Sequence, residues 1–254
     1  MLSPETIHTL ARRLIAAERA RQPIALLSSQ YALSMEDAYR IQEKRIQLKE
    51  EPTIGYKLGF TSKAMRKQMG IHTPNFGLLT RSMLLEQPVV PRDTLIHPRI
   101  EPEIALQLRT DLAPEPTLTE VFQAIDLVAP CLEIVDTRYT TYQFTAQDNT
   151  ADNSSAAYFV LGWPQRLSTF DLRLVGMVLH KNSQLIDHGV GAETMGNPLK
   201  AVQWLAHTLH EQGKSLKAGD IILTGGLTPA YLLDADDTFT AVFDRLGTVS
   251  VTCS

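Results

Sequence analysis

The run Ile100-Glu-Pro-Glu-Ile-Ala-Leu106 constrains the fold more than any other segment, because it sets two carboxylates, Glu101 and Glu103, two residues apart among apolar side chains. Read as a strand, its period of two puts Glu101, Glu103, Ala105 and Gln107 on one face and Ile100, Ile104, Leu106 and Leu108 on the other. The apolar face makes core. The other face points two like charges into one space, and a third carboxylate, Glu133, sits in a second apolar run, Cys131-Leu-Glu-Ile-Val135. Two readings are open at this point. If the face lines a cleft, the charges are costly without a cation, and three oxygen ligands suit a hard divalent ion such as Mg²⁺ or Mn²⁺. If the face is solvated, the glutamates pair with Arg99 and Arg138 instead.

A chain of 254 residues suffices for one large domain, or for a main domain with an N-terminal extension. Its apolar fraction of 44% and charged fraction of 20% are those of a globular protein. A net charge of -4, with no Lys/Arg cluster interleaved with aromatics, argues against a nucleic-acid partner and for a small diffusible substrate. The two cysteines, Cys131 and Cys253, support neither a disulfide framework nor a zinc site and fit a reducing compartment. No stretch approaches the roughly 18 apolar residues of a membrane span, and Met1-Leu-Ser-Pro-Glu-Thr6 opens a helix rather than a secretion signal. A cytoplasmic protein without membrane attachment is the expectation.

Ser3-Pro4 predicts a capped helix with Ile7, Leu10, Ala11, Leu14 and Ile15 inward, and Ser34 with Asp37 predicts a second with Ala38, Ile41, Arg45 and Leu48 along one side. From Thr53 the texture changes to short apolar runs broken by Gly and Pro, with a short helix expected over 62–69. Thr117 and Glu120 predict a helix carrying Val121, Phe122, Ile125 and Val128 and ending at Pro130. Strands are expected over 156–161, 172–180, 221–223, 239–243 and 248–252, with a hairpin through Lys181-Asn-Ser183, and Asn197-Pro198 opens a helix stopped by Gly213. Helices first and strands later indicate α+β.

Lys57, inside Ile54-Gly-Tyr-Lys-Leu-Gly59, either snorkels to water or is desolvated beside a metal, where it can shuttle protons. Asp152-Asn-Ser-Ser155 is a polar loop by itself. Ile221-Ile-Leu-Thr-Gly-Gly226 is a strand ending in small residues, either a tight bend or a place where a ligand approaches the backbone beside the Thr224 hydroxyl. The seven histidines are scattered with no HExxH or triad pattern, and His72 stands out among them only by its place in a loop before Pro74. Neither GxGxxG nor a P-loop occurs.

Taken together and in order, Gly-Tyr-Lys57-Leu-Gly-Phe-Thr-Ser62, Thr-Pro-Asn75-Phe-Gly77, Glu101-Pro-Glu103-Ile-Ala, Leu132-Glu133-Ile-Val-Asp136-Thr-Arg138, Ala-Asp152-Asn-Ser-Ser155 and Gly219-Asp-Ile-Ile-Leu-Thr-Gly225 resemble the signature stretches of the 2-keto-4-pentenoate hydratase and 4-oxalocrotonate decarboxylase group of the fumarylacetoacetate hydrolase superfamily. The resemblance runs from about Ala11 to the C-terminus. It implies an α+β fold with a curled, largely antiparallel β-sheet core, divided as a mainly helical α/β portion over 1–75 and a metal-binding catalytic domain over 76–254. It implies Glu101, Glu103 and Glu133 as ligands of Mg²⁺ or Mn²⁺, Lys57 as the proton-transfer residue with Asp152 and Ser155 orienting it or the water, and Asn75, Leu78, Asp148, Thr224 and Gly225 around the substrate. The implied reaction is hydration of a 2-hydroxy-2,4-dienoate in meta-cleavage catabolism of aromatic compounds, by a homo-oligomer able to complex with a related enzyme. The alternatives are decarboxylation of 2-oxo-3-hexenedioate and hydrolysis of an acylpyruvate. Asp148 and the absence of Arg at Ala157 and Tyr158 lean towards the hydratase, whereas Asp136-Thr-Arg138-Tyr139 leans towards the decarboxylase. Asn75 departs from the Asp usual in hydratases.

Overall fold

The computed structural model describes residues 1–62, 66, 71, 73–167 and 170–254, so His72 and most of the helix expected over 62–69 lie outside the described residues. Helix α1 (Pro4–Ala20) begins where the Ser3 hydroxyl accepts the Thr6 N–H and Pro4, which has no N–H to lose, takes the first position. Helix α2 (Met35–Lys49) opens with a reciprocal capping box between Ser34 and Asp37. The two pack through Leu10, Leu14, Ala38 and Ile41, and the same cluster takes in Tyr139 and Ala151 from later in the chain. That contact ties the helical layer to the turn described below.

The main sheet runs β2 (Asn75–Thr80), β1 (Thr53–Gly59), β10 (Ile221–Leu223), β4 (Arg99–Leu108), β5 (Ile125–Val135) and β6 (Ala156–Leu161), with β11 (Tyr231–Leu232) added to β4 and β7 (Gln165–Arg166) to β5. Among the described residues, β1 and β10 are the only paired strands of this sheet that run parallel. A second sheet runs β3 (Val89–Val90), β13 (Gly247–Cys253), β12 (Thr238–Phe243), β8 (Gly176–Lys181) and β9 (Gln184–Val190). One apolar cluster joins Ile100, Ile104 and Leu106 of the main sheet to Phe239 and Val251 of the second sheet and to Val202 and Leu205 of the helix Pro198–Glu211. The apolar face of β4 is therefore the core face, as its alternation requires, and the glutamate face looks the other way. The expected α+β, largely antiparallel core is present.

Two expected boundaries are wrong. Helix α3 (Leu118–Ala124) keeps its Thr117/Glu120 capping box but ends at Ala124, and Ile125, Val128 and Pro130 all lie in β5. Proline is admissible in this strand because the facing Ile104 carbonyl turns to β10, where it accepts the Thr224 N–H. Pro130 thus faces the break between β6 and β7, where its carbonyl takes the Gly162 N–H and the ladder needs no further donor. The run 172–180 is likewise split, a 3₁₀ turn at Leu172–Leu174 preceding β8.

Candidate active site

In the β4–β5 ladder Glu101 lies directly opposite Glu133, and Glu103 opposite Cys131. Lys57 comes from β1, two strands away across Leu223 and Ala105. Beside them on the same face of the sheet, Ala105, Ala129, Cys131, Phe159 and Leu223 form an apolar surround. One carboxylate oxygen from each of Glu101, Glu103 and Glu133 lies within 4.8 Å of the others. Glu103 and Glu133 are buried and Glu101 is half-buried. The solvated-face reading therefore fails: among the described residues neither Arg99 nor Arg138 ion-pairs with these glutamates, and Arg138 is bound to Asp152.

Three carboxylates share few partners. The Gly225 N–H donates to Glu103 Oε2 at 2.7 Å, and Lys57 Nζ stands 3.1 Å from Glu133 Oε2. Glu103 Oε1 and both Glu133 oxygens accept no well-aligned hydrogen bond among the described residues. Burial, reinforced by repulsion from Glu133, pushes Glu101 up to about 7 despite the nearby Lys57, and burial with the same repulsion lifts Glu103 well above the carboxylate range. Burial also raises Glu133. Burial alone would lower the Lys57 pKa, but Glu133, Glu101 and Glu103 together outweigh it and raise the pKa. Orphaned, clustered, oxygen-only donors with one ammonium among them fit a hard divalent cation.

Lys57 is aimed by an unusual turn. Asn153, Ser154 and Ser155 all have positive φ, at 57°, 52° and 59°. Each left-handed non-glycine residue costs about 1–2 kcal/mol, so three in succession persist only where surrounding contacts hold them. Those contacts are present. The Asn153 side chain takes the Leu78 N–H at 2.7 Å and donates to the Leu78 carbonyl at 2.9 Å. Ser154 Oγ donates to Asn75 Oδ1 at 3.2 Å, and Ser155 Oγ accepts from Asn149 at 3.0 Å. Gly77 lets the turn press on β2, since a Cβ there would stand 2.5 Å from the Asn153 carbonyl oxygen. The product of this packing is the Ser154 carbonyl, which accepts from Lys57 Nζ at 3.1 Å.

Asp152 anchors the turn. Its Oδ1 accepts from Arg45 at 2.9 Å and from Arg138 Nε, while its Oδ2 accepts from the Thr137 hydroxyl at 3.0 Å and the Arg138 N–H at 2.9 Å. Arg45 continues to Glu18, which Lys49 also meets at 2.6 Å. Although burial pulls its pKa up, Arg45, Lys49 and Arg138 hold Glu18 well below the usual carboxylate range.

The structure thus gathers Lys57, Glu101, Glu103, Glu133 and Gly225 in one cluster, and Asn75, Asp152 and Ser155 in a second, joined through Ser154. Three residues placed around a substrate by the sequence have their groups committed elsewhere. Leu78 packs its side chain in the main core, on the face away from Lys57; Asp148 caps the helix α4 (Ala146–Ala151) and accepts from Ser28; and the Thr224 hydroxyl donates to the Ile104 carbonyl at 2.9 Å. The sequence reading passed over Asn153 and Ser154 as individual residues; the one signal was an Asn, tolerant of left-handed backbone, following Asp152.

Residues 58–253 match the family described as fumarylacetoacetate (FAA) hydrolase C-terminal. The chain belongs to this family. Within the fumarylacetoacetate hydrolase family it is 38% identical to 2-hydroxyhexa-2,4-dienoate hydratase of Comamonas testosteroni, over 99% of this chain and 98% of the relative. It is 37% identical to 2-keto-4-pentenoate hydratase of Paraburkholderia xenovorans strain LB400, over 98% and 95%. Its backbone superposes with a TM-score of 0.96 on 4-oxalocrotonate decarboxylase from Pseudomonas putida G7, solved with magnesium and adipate, which is 34% identical over 100% of this chain and 99% of the other. A family member's fold is thus established along nearly the whole chain.

Proposed function

We propose that this fumarylacetoacetate hydrolase family member is a lyase that adds water to a 2-hydroxy-2,4-dienoate, giving a 4-hydroxy-2-oxo acid in the catabolism of aromatic compounds. The observation that carries the reading is the partner-starved cluster of Glu101, Glu103 and Glu133 with Lys57 Nζ 3.1 Å from Glu133, in a chain so similar to dienoate hydratases. Glu101, Glu103 and Glu133 hold Mg²⁺ or Mn²⁺. A divalent ion bound there supplies a Lewis acid for the carboxylate and 2-oxo oxygens of the substrate and an electron sink for its enolate form. Lys57, aimed by Ser154, delivers a proton to the terminal carbon of the dienoate as the 2-hydroxyl loses its own, leaving a 2-oxo-3-enoate. Water then adds at C4 and a proton returns at C3. Asp152 and Ser155 act through the turn, as positioning residues for Lys57, while Asn75 braces Ser154 and Gly225 fixes Glu103. The working protein is a cytoplasmic homo-oligomer, able to associate with a related enzyme; no helix among the described residues is long and apolar enough to cross a membrane.

A second reading, decarboxylation of 2-oxo-3-hexenedioate, is favoured by the close backbone match to the Pseudomonas putida G7 decarboxylase. For that reaction a divalent ion held by Glu101, Glu103 and Glu133 would supply the electron sink that loss of CO₂ requires. Purified protein with Mg²⁺, given 2-hydroxypenta-2,4-dienoate and 2-oxo-3-hexenedioate separately with and without chelator, separates the two. Chelator-sensitive formation of 4-hydroxy-2-oxopentanoate is the expected result; chelator-sensitive CO₂ release from the diacid alone would replace it with the second reading.

A further inference from the structure

The second sheet turns one face into the core and leaves the other open. Met177 and Leu179 of β8, Phe239 and Ala241 of β12 and Val249 and Val251 of β13 are buried, so by the period of two the residues between them face outward. The register sets these outward residues in rows across the strands. One row is His188, Val178, Val242 and Thr248, and the next is Leu185, His180, Thr240 and Ser250. Thr238, Thr252 and Val89 continue a third. None of the three rows contains Asp, Glu, Lys or Arg, although charged residues make up 20% of the chain. Val178, Val242 and Leu185 are 37, 40 and 57% exposed. The open face of an antiparallel sheet is ordinarily polar and guarded by charge, whereas this one is branched, aliphatic and neutral. Its hydroxyls are already spent on one another. Thr240 Oγ1 lies 2.8 Å from Ser250 Oγ and Thr238 Oγ1 lies 3.0 Å from Thr252 Oγ1, while the Ser250 hydroxyl reaches the Phe239 carbonyl at 3.1 Å. Covering the face therefore leaves these hydroxyls hydrogen-bonded.

We infer that this face is the contact surface for a second copy of the chain, the two sheets packing face to face about a two-fold axis. The inference gives a surface to the homo-oligomer proposed above and rests on that part of the reading, not on the metal chemistry. Area supports it. Strands β8, β9, β12 and β13, of six or seven residues, run about 20 Å, and with β3 the five strands span about 24 Å. Each copy thus offers about 500 Å², and the pair about 1,000 Å², where specific interfaces begin. Charge favours a like partner. The chain carries a net charge of -4, so two copies repel across acidic surface and meet at least cost where the surface is neutral. A two-fold contact sets the same patch against itself, and rows without charge meet themselves with no opposed like charges.

Sedimentation equilibrium of the full chain tests this. The wild type is expected to sediment as a dimer or a multiple of one. Val178→Lys and Val242→Lys each set like charges against each other across the two-fold, and each is expected to halve the mass at the same concentration with the circular dichroism spectrum kept. Phe122→Lys, at a comparably exposed position on α3, is expected to leave the mass unchanged. A wild-type oligomer whose mass neither lysine changes would overturn the inference and leave the homo-oligomer reading standing, whereas a wild-type monomer would remove both. A second measurement is independent of how the charged variants fold. Cys131 and Cys253 are buried, so a maleimide reports on an introduced thiol. Val178→Cys is expected to react at least about tenfold more slowly than Phe122→Cys in the assembled protein, since only dissociated chains expose it; equal rates would overturn the inference.

Discussion

Two buried carboxylate clusters lie on either side of the Ser154 carbonyl, and they are opposites. Asp152 is saturated: two guanidiniums, a hydroxyl and a backbone N–H converge on one carboxylate. Glu101, Glu103 and Glu133 are starved: three carboxylates share one ammonium and one backbone N–H, and three of their oxygens accept no well-aligned hydrogen bond among the described residues. A saturated cluster has no further use for a ligand and contributes rigidity. A starved one is costly by itself and becomes favourable only when something positive arrives. The contrast supports the proposal made above, in which the first cluster is architecture, the second carries the chemistry, and the left-handed turn links the two.

Removing charge should therefore act in opposite senses at the two places. The largest effect is expected from Asp152→Ala, which strands Arg45 and Arg138 in the interior; a loss of about 3–5 kcal/mol in denaturant unfolding follows, whereas an unchanged midpoint would erase the distinction. Glu133→Gln relieves repulsion, so the metal-free protein should unfold no earlier than wild type, yet its Mg²⁺ affinity should fall by more than the roughly 100-fold seen when only a supporting partner of a ligand is lost. Asn153→Ala probes the link between the clusters. It releases the turn from β2 and should lower kcat about tenfold or more through misplacement of Lys57, with the Mg²⁺-induced rise in melting temperature preserved; equal loss of both would make Asn153 a purely structural residue.

The smallest effect concerns pH. Glu101 lies at about 7 against an ordinary 4.5 because burial and Glu133 disfavour its charge. The folded state thus retains a proton that the unfolded chain has released, so this group's contribution to metal-free stability is full below about 4.5 and is lost as pH rises through about 7. Mg²⁺ needs the ionised carboxylate, so its stabilising effect should grow over the same interval. Melting curves with Mg²⁺ and with chelator, taken between about pH 5 and pH 8, should diverge progressively; parallel curves would mean that the cluster does not exchange protons for metal.

What was legible in the sequence was local. Ser3-Pro4, Ser34/Asp37, Thr117/Glu120 and Asn197-Pro198 start helices where expected because a cap is settled within four residues. Alternation in β4 separated its core face from its carboxylate face for the same reason. What was not legible depends on distant partners. Pro130 stays in β5 only because β6 breaks off opposite it, Leu78 faces the core through its register with Tyr56, and Asp152 is claimed by Arg45, 107 residues away. Side-chain commitment of this kind is a property of packing, and no spacing rule contains it. The structure sorts the segments named by the resemblance into residues that face the carboxylate cluster and residues that brace it.

The most direct test of the central claim is a titration of chelator-treated protein with Mg²⁺, followed by calorimetry, for the wild type and for Glu103→Gln with its metal-free melting temperature checked. One ion per chain in the wild type and none in the variant is the predicted result. Undiminished binding in the variant, or no binding in the wild type, would contradict the assignment of the starved cluster as the metal centre.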